Sequence, residues 1–276
     1  MLLPAIADAS EMHAYGWCES AAQSVWPGAW AVAAAAIMGA AYWTAVVTLG
    51  RGENKPRTTW FAWGLVAWVA TLSGPLERLA LNRLYSAYIL QQVLLVMVVC
   101  PALLAGLEGW MFRPLFSRPA PRAVMGFLTR PGIALLVFVA VFTAIHVPSV
   151  CNQLCHVRPF YHTVRISLFL AGLLLWWPLF GPAVGPPRLS PPLQGLYLLA
   201  LMLAMSAVAA PITFAETVLY HFYMSGPHPL GLTPLTDQII GGLLMWVVQG
   251  IILTGGASVI FVNWLGNPQR QGHADA

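Results

Sequence analysis

The chain is 276 residues long, 59% of them hydrophobic and only 8% charged, with a net charge of +4 and a mean hydropathy of +0.73. Soluble domains carry about 25% charged residues and roughly 45–50% apolar ones, and a chain this apolar lacks the polar surface to cover itself in water. These figures speak against a soluble enzyme, a nucleic-acid-binding domain and a disordered chain, and leave a polytopic membrane protein.

Lipid dictates the element type. Backbone N–H and C=O groups inside a bilayer must pair within the protein, so a chain crosses as helices or as a closed barrel. Barrel strands alternate apolar and polar residues over about ten positions, whereas this sequence has long unbroken apolar runs. A hydrocarbon core about 30 Å thick takes roughly 20 helical residues. The sequence therefore predicts an all-α, polytopic transmembrane helical bundle. In chain order the expected spans, about seven by this criterion, are Ala29–Leu49, Trp60–Pro75, Ala87–Leu107, Ile133–Val150, Ile166–Ala183, Leu193–Phe214 and Ile239–Leu265. Gly74-Pro75 is expected to end the short second span, because proline disfavours helix on its N-terminal side. The proline-rich connectors Arg113–Pro131 and Gly181–Pro192 read as rigid surface loops. No internal repeat is visible. The expected organisation is an exported tail over residues 1–28, a helical domain over 29–265 and a cytoplasmic tail over 266–276.

Positive charge predicts the orientation. Arg51, Lys55, Arg57, Arg113, Arg118, Arg122, Arg130, Arg188 and Arg270 fall on one side, and Arg78, Arg83, Arg158 and Arg165 on the other: nine against four of the thirteen Lys and Arg. The richer side is expected to be cytoplasmic, which puts the N-terminus outside and the C-terminus inside. The first 28 residues hold Asp8, Glu11 and Glu19 and no Lys or Arg, as suits an exported tail and not a signal peptide.

This orientation sends His13, His146, His156, His162, His221 and His228, with Cys18, Cys151 and Cys155, to the outer side or outer helix ends. Imidazole and thiolate favour copper and zinc, although histidines also collect at membrane interfaces for their polarity alone. The most specific feature is Cys151-Asn152-Gln153-Leu154-Cys155-His156. If helical, it places both sulfurs on one face. Two thiolates, alone or with an imidazole, suit Cu(I), and His146 and His162 flank the segment. A disulfide, favoured in an oxidising compartment, and two small buried apolar side chains remain open. The run misses the C-x-x-C-H haem-attachment spacing by one residue.

Charges near the spans are few: Glu77 and Arg78 after the second, Glu216 and Asp237 around the last connector. Charge at membrane depth raises a functional hypothesis, while structural pairing or hydration is expected for Glu77 and Arg78. Asp237-Gln238 also reads as a helix start, where a carboxylate complements the dipole. Trp176-Trp177-Pro178 and Met245-Trp246 read as belt or packing residues. Gly241-Gly242 and Gly255-Gly256 permit close helix contact. The only lysine, Lys55, lies in a loop, which removes a retinal Schiff base. No phosphate-loop, zinc-protease or serine-hydrolase motif is present, and no acid–base constellation suggests an enzyme.

Several of these stretches together resemble the CtaG-type cytochrome c oxidase assembly proteins met beside caa3-type oxidases. They are Ser73-Gly74-Pro75-Leu76-Glu77, Ser86–Leu104 with Gln91 and Pro101, His146-Val147-Pro148, Tyr161-His162 followed by Leu175-Trp176-Trp177-Pro178, and Thr236-Asp237-Gln238 with Gly242 and Met245-Trp246. The likeness runs from about Trp60 to Leu265 in order and spacing. It implies a multi-pass protein of the bacterial plasma membrane that matures haem–copper oxidase by copper delivery or insertion, with oxidase subunits and the lipid bilayer as partners and no nucleic acid. Where the family carries further histidines, this chain has Tyr88, Gln92 and Ile166, poor Cu(I) ligands by comparison.

The expected metal ligands are thus His146, His162, Cys151, Cys155 and His156, with copper as the ion. The alternative is a metal-free scaffold or accessory subunit that binds an oxidase. A copper transporter, with Met97, Cys100, Met202 and Met205 along a path, ranks third, since no repeat of the kind common in transporters is visible.

Overall fold

The computed structural model describes residues 24–49, 55–81, 84–153, 158–182, 189–224 and 230–266. Among these the chain is helical and contains no strand. In order the helices are α1 (Ala29–Thr48), α2 (Lys55–Leu72), α3 (Gly74–Leu81), α4 (Tyr85–Gly106), α5 (Arg113–Phe116), α6 (Pro119–Leu128), α7 (Pro131–His146), α8 (Pro148–Cys151), α9 (Arg158–Phe180), α10 (Pro191–Thr213) and α11 (Pro234–Leu265).

Helices α1, α4, α9, α10 and α11 are long and apolar enough to cross a membrane. Taken together, α6 and α7 form a sixth candidate, bent by 71°. Each predicted span is helical, but α2 falls short in apolarity, its first residues being Lys-Pro-Arg-Thr-Thr. Gly74-Pro75 does not simply end the second span: it opens α3 after a sharp turn. The connector Arg113–Pro131, expected as loop, folds into α5 and α6, after a 3-10 turn at Gly109–Phe112. Proline is compatible with helix in the first turn, where its missing N–H costs nothing, and Pro119, Pro131, Pro148, Pro191 and Pro234 all stand there.

The most buried spans are α4 and α9, whereas α1, α10 and α11 keep most of their surface outward. Ile37, Leu203, Ile251 and Val262 are exposed large apolar side chains on those outer surfaces. That arrangement suits a molecule whose surroundings are lipid.

Two local features hold the middle together. Residues Leu95–Val99 of α4 form a π-turn in which the Cys100 N–H reaches Leu95 O. Pro101 follows and has no N–H to offer, so Val96 O is left without a backbone donor. The Trp176 indole N–H of α9 donates to it at 2.6 Å. Trp176 and Trp177 are accordingly core residues and not an interfacial belt. Gly28, at φ +77°, approaches the end of α2 so closely that a Cβ would sit 2.1 Å from Leu72 O, and Gly74 N–H donates to Pro27 O at 2.9 Å. Only glycine fits that position.

Contacts define two ends of the bundle. At one, Arg57 donates to Leu107 O at 2.6 Å and Tyr42 meets Thr58 at 3.2 Å; the arginines of the α5–α6 connector lie at this end. At the other, α3, the starts of α4, α9 and α11, and the far ends of α7 and α10 converge.

Candidate functional site

The converging end is built on buried polar side chains. Glu77 of α3 and Arg165 of α9 form an ion pair at 2.9 Å, each almost fully buried. Gln91 of α4 bridges them: its Oε1 accepts from Arg165 at 2.6 Å, and its amide donates to Glu77 and to Thr71 O, both at 2.8 Å. Tyr161 O–H donates to the other Glu77 oxygen at 3.0 Å, and the guanidinium lies 4.4 Å above the Tyr161 ring. Burying one charge costs several kcal/mol unless it is paired and hydrogen-bonded, and this network meets that condition for Glu77. The pairing expected for Glu77 exists, but with Arg165 and not with Arg78, which is exposed and donates to Ser24 O at 3.2 Å.

Asp237 is the second anchor. It lies in the first turn of α11, yet that helix is capped by Thr233, whose hydroxyl accepts Thr236 N–H at 3.1 Å. The Asp237 carboxylate instead caps α4, accepting Tyr85 N–H at 2.6 Å, Ser86 N–H at 3.1 Å and the Ser86 hydroxyl at 2.5 Å. Its charge meets the positive end of that helix. Beside it, Gln238 accepts Leu219 N–H at 2.7 Å and donates to Thr217 O at 3.3 Å, fixing the connector before α11. Glu216 is exposed. Gly241 and Gly242 permit the approach of α11, because a Cβ would fall 2.6 Å from Tyr85 and 2.4 Å from Thr213. Gly255 has open space there, and Gly256 only Leu198 at 3.9 Å.

Aromatic hydroxyls fill the space between these anchors. Tyr85 stacks on Tyr220 at 4.5 Å and meets Tyr223 edge-on at 5.2 Å, and Tyr88 lies 6.4 Å from both Tyr85 and Tyr223. Burial pushes the Tyr220 and Tyr223 hydroxyls above their ordinary range, so both stay protonated donors.

His146, the last residue of α7, is buried against this cluster. Tyr220 O–H donates to its carbonyl at 3.0 Å. Its Nδ1 lies 2.6 Å from Phe142 O, an atom that can only accept, so Nδ1 carries the proton. Nε2 therefore keeps its lone pair, and it is buried without a hydrogen-bond partner among the described residues. Cys151 ends α8 as a buried free thiol, and burial raises its pKa, which holds it neutral. The chain then turns at Asn152 and Gln153, so no helix carries on from Cys151 to set a shared face. Cys155 and His156 lie outside the described residues. Asn152 holds the turn through His221 and Phe222 N–H, both at 3.4 Å. His162 is half-buried and packs edge-on to Trp30 of α1 at 5.2 Å. Among the described residues, no three His, Cys, Asp or Glu side chains gather as a metal-holding group; His146, Cys151 and His162 do not make one.

Tyr88 and Gln92, which stand where the family likeness places histidines, are buried on α4. They line a cavity of about 10 Å³ with Gln91 and Arg165, roughly the room one water needs. The Tyr88 hydroxyl and both polar atoms of the Gln92 amide have no hydrogen-bond partner among the described residues. Ile166 points outward, 49% exposed, while its neighbour Arg165 points in. A fixed guanidinium beside neutral hard donors does not suit a copper ion, so this cavity does not fit the metal. The His146 ring keeps a nitrogen lone pair of the donor type that such an ion takes. Sequence reasoning misses Arg165, which in a linear reading is only a topological charge. Its signal was an arginine with an apolar span starting at the next residue, to be matched with a glutamate in the same setting.

Residues 40–267 match the family described as the cytochrome c oxidase caa3 assembly factor (Caa3_CtaG). No curated protein matches the chain, and no solved structure does.

Proposed function

Because the chain belongs to the cytochrome c oxidase caa3 assembly factor family, we propose that it is a non-catalytic maturation factor of the bacterial plasma membrane. On this reading it offers Cu(I) to a nascent haem–copper oxidase subunit on the outer side, with His146 as the principal contact. The observation that carries the reading is the His146 ring, whose Nδ1–H is committed to Phe142 O while the buried Nε2 keeps a free lone pair. Imidazole ligands are commonly oriented and made more basic by such a second hydrogen bond. Cys151, Cys155 and His156 follow within ten residues and supply soft donors suited to Cu(I), with His162 as the remaining candidate. A thiol held neutral by burial releases its proton when the ion binds, and hand-over is then ligand exchange with a donor of the oxidase subunit. The excess of Lys and Arg on the opposite connectors supports an outward site.

The test is copper analysis of the purified chain under reducing, copper-replete conditions, with folding checked by denaturation midpoint. Wild type is expected to retain copper and His146→Ala to lose most of it. No copper above background in the wild type rejects the reading.

A second reading, a metal-free scaffold that holds an oxidase subunit, is favoured by the guanidinium of Arg165 standing beside Tyr88 and Gln92. It predicts that His146→Ala and Cys151→Ser leave oxidase assembly in cells unchanged. Co-purification with an oxidase subunit is expected of both.

A further inference from the structure

The connector between α4 and α7 carries four arginines, Arg113, Arg118, Arg122 and Arg130, and the nearest acidic residue in sequence is Glu108. All four are exposed, and among the described residues none pairs with a carboxylate. Arg130 rests over the Phe127 ring at 5.7 Å. Helix α6 lies within this stretch. At 100° per residue, Ala120, Val124, Phe127 and Leu128 share one face, while Arg122 falls on the opposite one. The apolar face is not covered by the bundle: Val124 is 56% exposed and Phe127 51%.

Direction completes the picture. α6 is bent 71° from α7, so its ten residues advance only about 5 Å along the α7 axis. It runs across that axis at the arginine-rich end, as a helix lying in the membrane surface does. Such helices sink their apolar side chains to the headgroup–acyl boundary and hold basic side chains among the headgroups.

We propose that α6 is an interfacial helix that docks on anionic phospholipid. Val124 and Phe127 enter the acyl region, and Arg113, Arg118 and Arg122 contact phosphate-bearing, negatively charged headgroups. The proposal is independent of any copper chemistry at the other end. A zwitterionic lipid satisfies the apolar face but not the net charge, so headgroup preference is the discriminating property.

The experiment uses the full chain, purified in neutral detergent and delipidated, with bound lipids counted by native mass spectrometry. Phosphatidylglycerol and phosphatidylcholine of identical acyl chains are the probes. Wild type is expected to bind phosphatidylglycerol more tightly. A basic residue near an anionic surface is worth about fivefold in affinity, so Arg113→Gln/Arg118→Gln/Arg122→Gln is expected to lose roughly a hundredfold for phosphatidylglycerol and little for phosphatidylcholine. In vesicles, a phospholipid with a diazirine in its acyl chain is expected to label the 119–128 peptide. Equal binding of the two lipids by wild type, an unchanged phosphatidylglycerol affinity in the triple variant, or an unlabelled 119–128 peptide would each overturn the proposal.

Discussion

Replacing Arg165 by methionine tests the buried network directly. The change keeps much of the side-chain length and removes the cation. Glu77 would retain Tyr161 and Gln91 as donors but lose its ion pair with Arg165. Breaking a buried pair from one side costs about 3–5 kcal/mol, because the remaining charge is left uncompensated, which corresponds to roughly a 150- to 5,000-fold shift of the folding equilibrium. Removing both charges, as in Glu77→Gln/Arg165→Met, eliminates that penalty and is expected to restore most of the loss. The assay is reversible unfolding in mixed detergent–SDS micelles, run as a double-mutant cycle. A loss below about 1 kcal/mol for Arg165→Met, the level of an exposed pair, or a double variant no better than the single one, would refute the argument that the two charges compensate each other in a buried setting.

Other expectations use the same assay or simple chemistry. Asp237→Ala leaves Tyr85 and Ser86 N–H groups buried without acceptors and is expected to cost at least about 2 kcal/mol; Asp237→Asn keeps an acceptor and should cost less. Gly242→Ala forces a methyl to within 2.4 Å of the Thr213 hydroxyl and should cost about 1–3 kcal/mol, whereas Gly250→Ala meets nothing within 4 Å and should be neutral or stabilising by up to about 1 kcal/mol. Trp176→Phe strands Val96 O and is expected to lose about 1–3 kcal/mol in the unfolding midpoint analysis. Cys151, with its pKa raised by burial, should resist maleimide at pH 8 in the folded chain and react once SDS unfolds it; labelling at the rate of a free thiol in native protein would contradict its burial.

The helical architecture was legible because lipid leaves few choices: each apolar run from Ala29 to Leu265 had to be a helix or a barrel strand, and no run alternated. What hydropathy could not resolve was direction. Pro75 and Pro119 look like loop residues in a linear reading, yet each stands in the first turn of a helix that bends away from its neighbour. The candidate site was legible only in part. Residue type and setting make His146 a candidate, but which of its ring nitrogens keeps the lone pair depends on Phe142 O. The partners of Glu77 and Asp237 were invisible because they come from helices far apart in the chain. Tyr85, Tyr88, Tyr220 and Tyr223 carry no local pattern at all; they cluster only because Asp237 and Gln238 draw the last helix against the start of α4.

The Asp237 contact to Tyr85 and Ser86 spans 152 and 151 positions. On the ribosome, at about 5–20 residues per second, the beginning of α4 would wait roughly 10–30 s for its acceptor. Until the final helix has inserted, two peptide donors there must rely on water or lipid headgroups. Helix α11 is thus expected to close this end of the bundle late in synthesis, and a chain truncated before Pro234 is expected to leave the start of α4 uncapped.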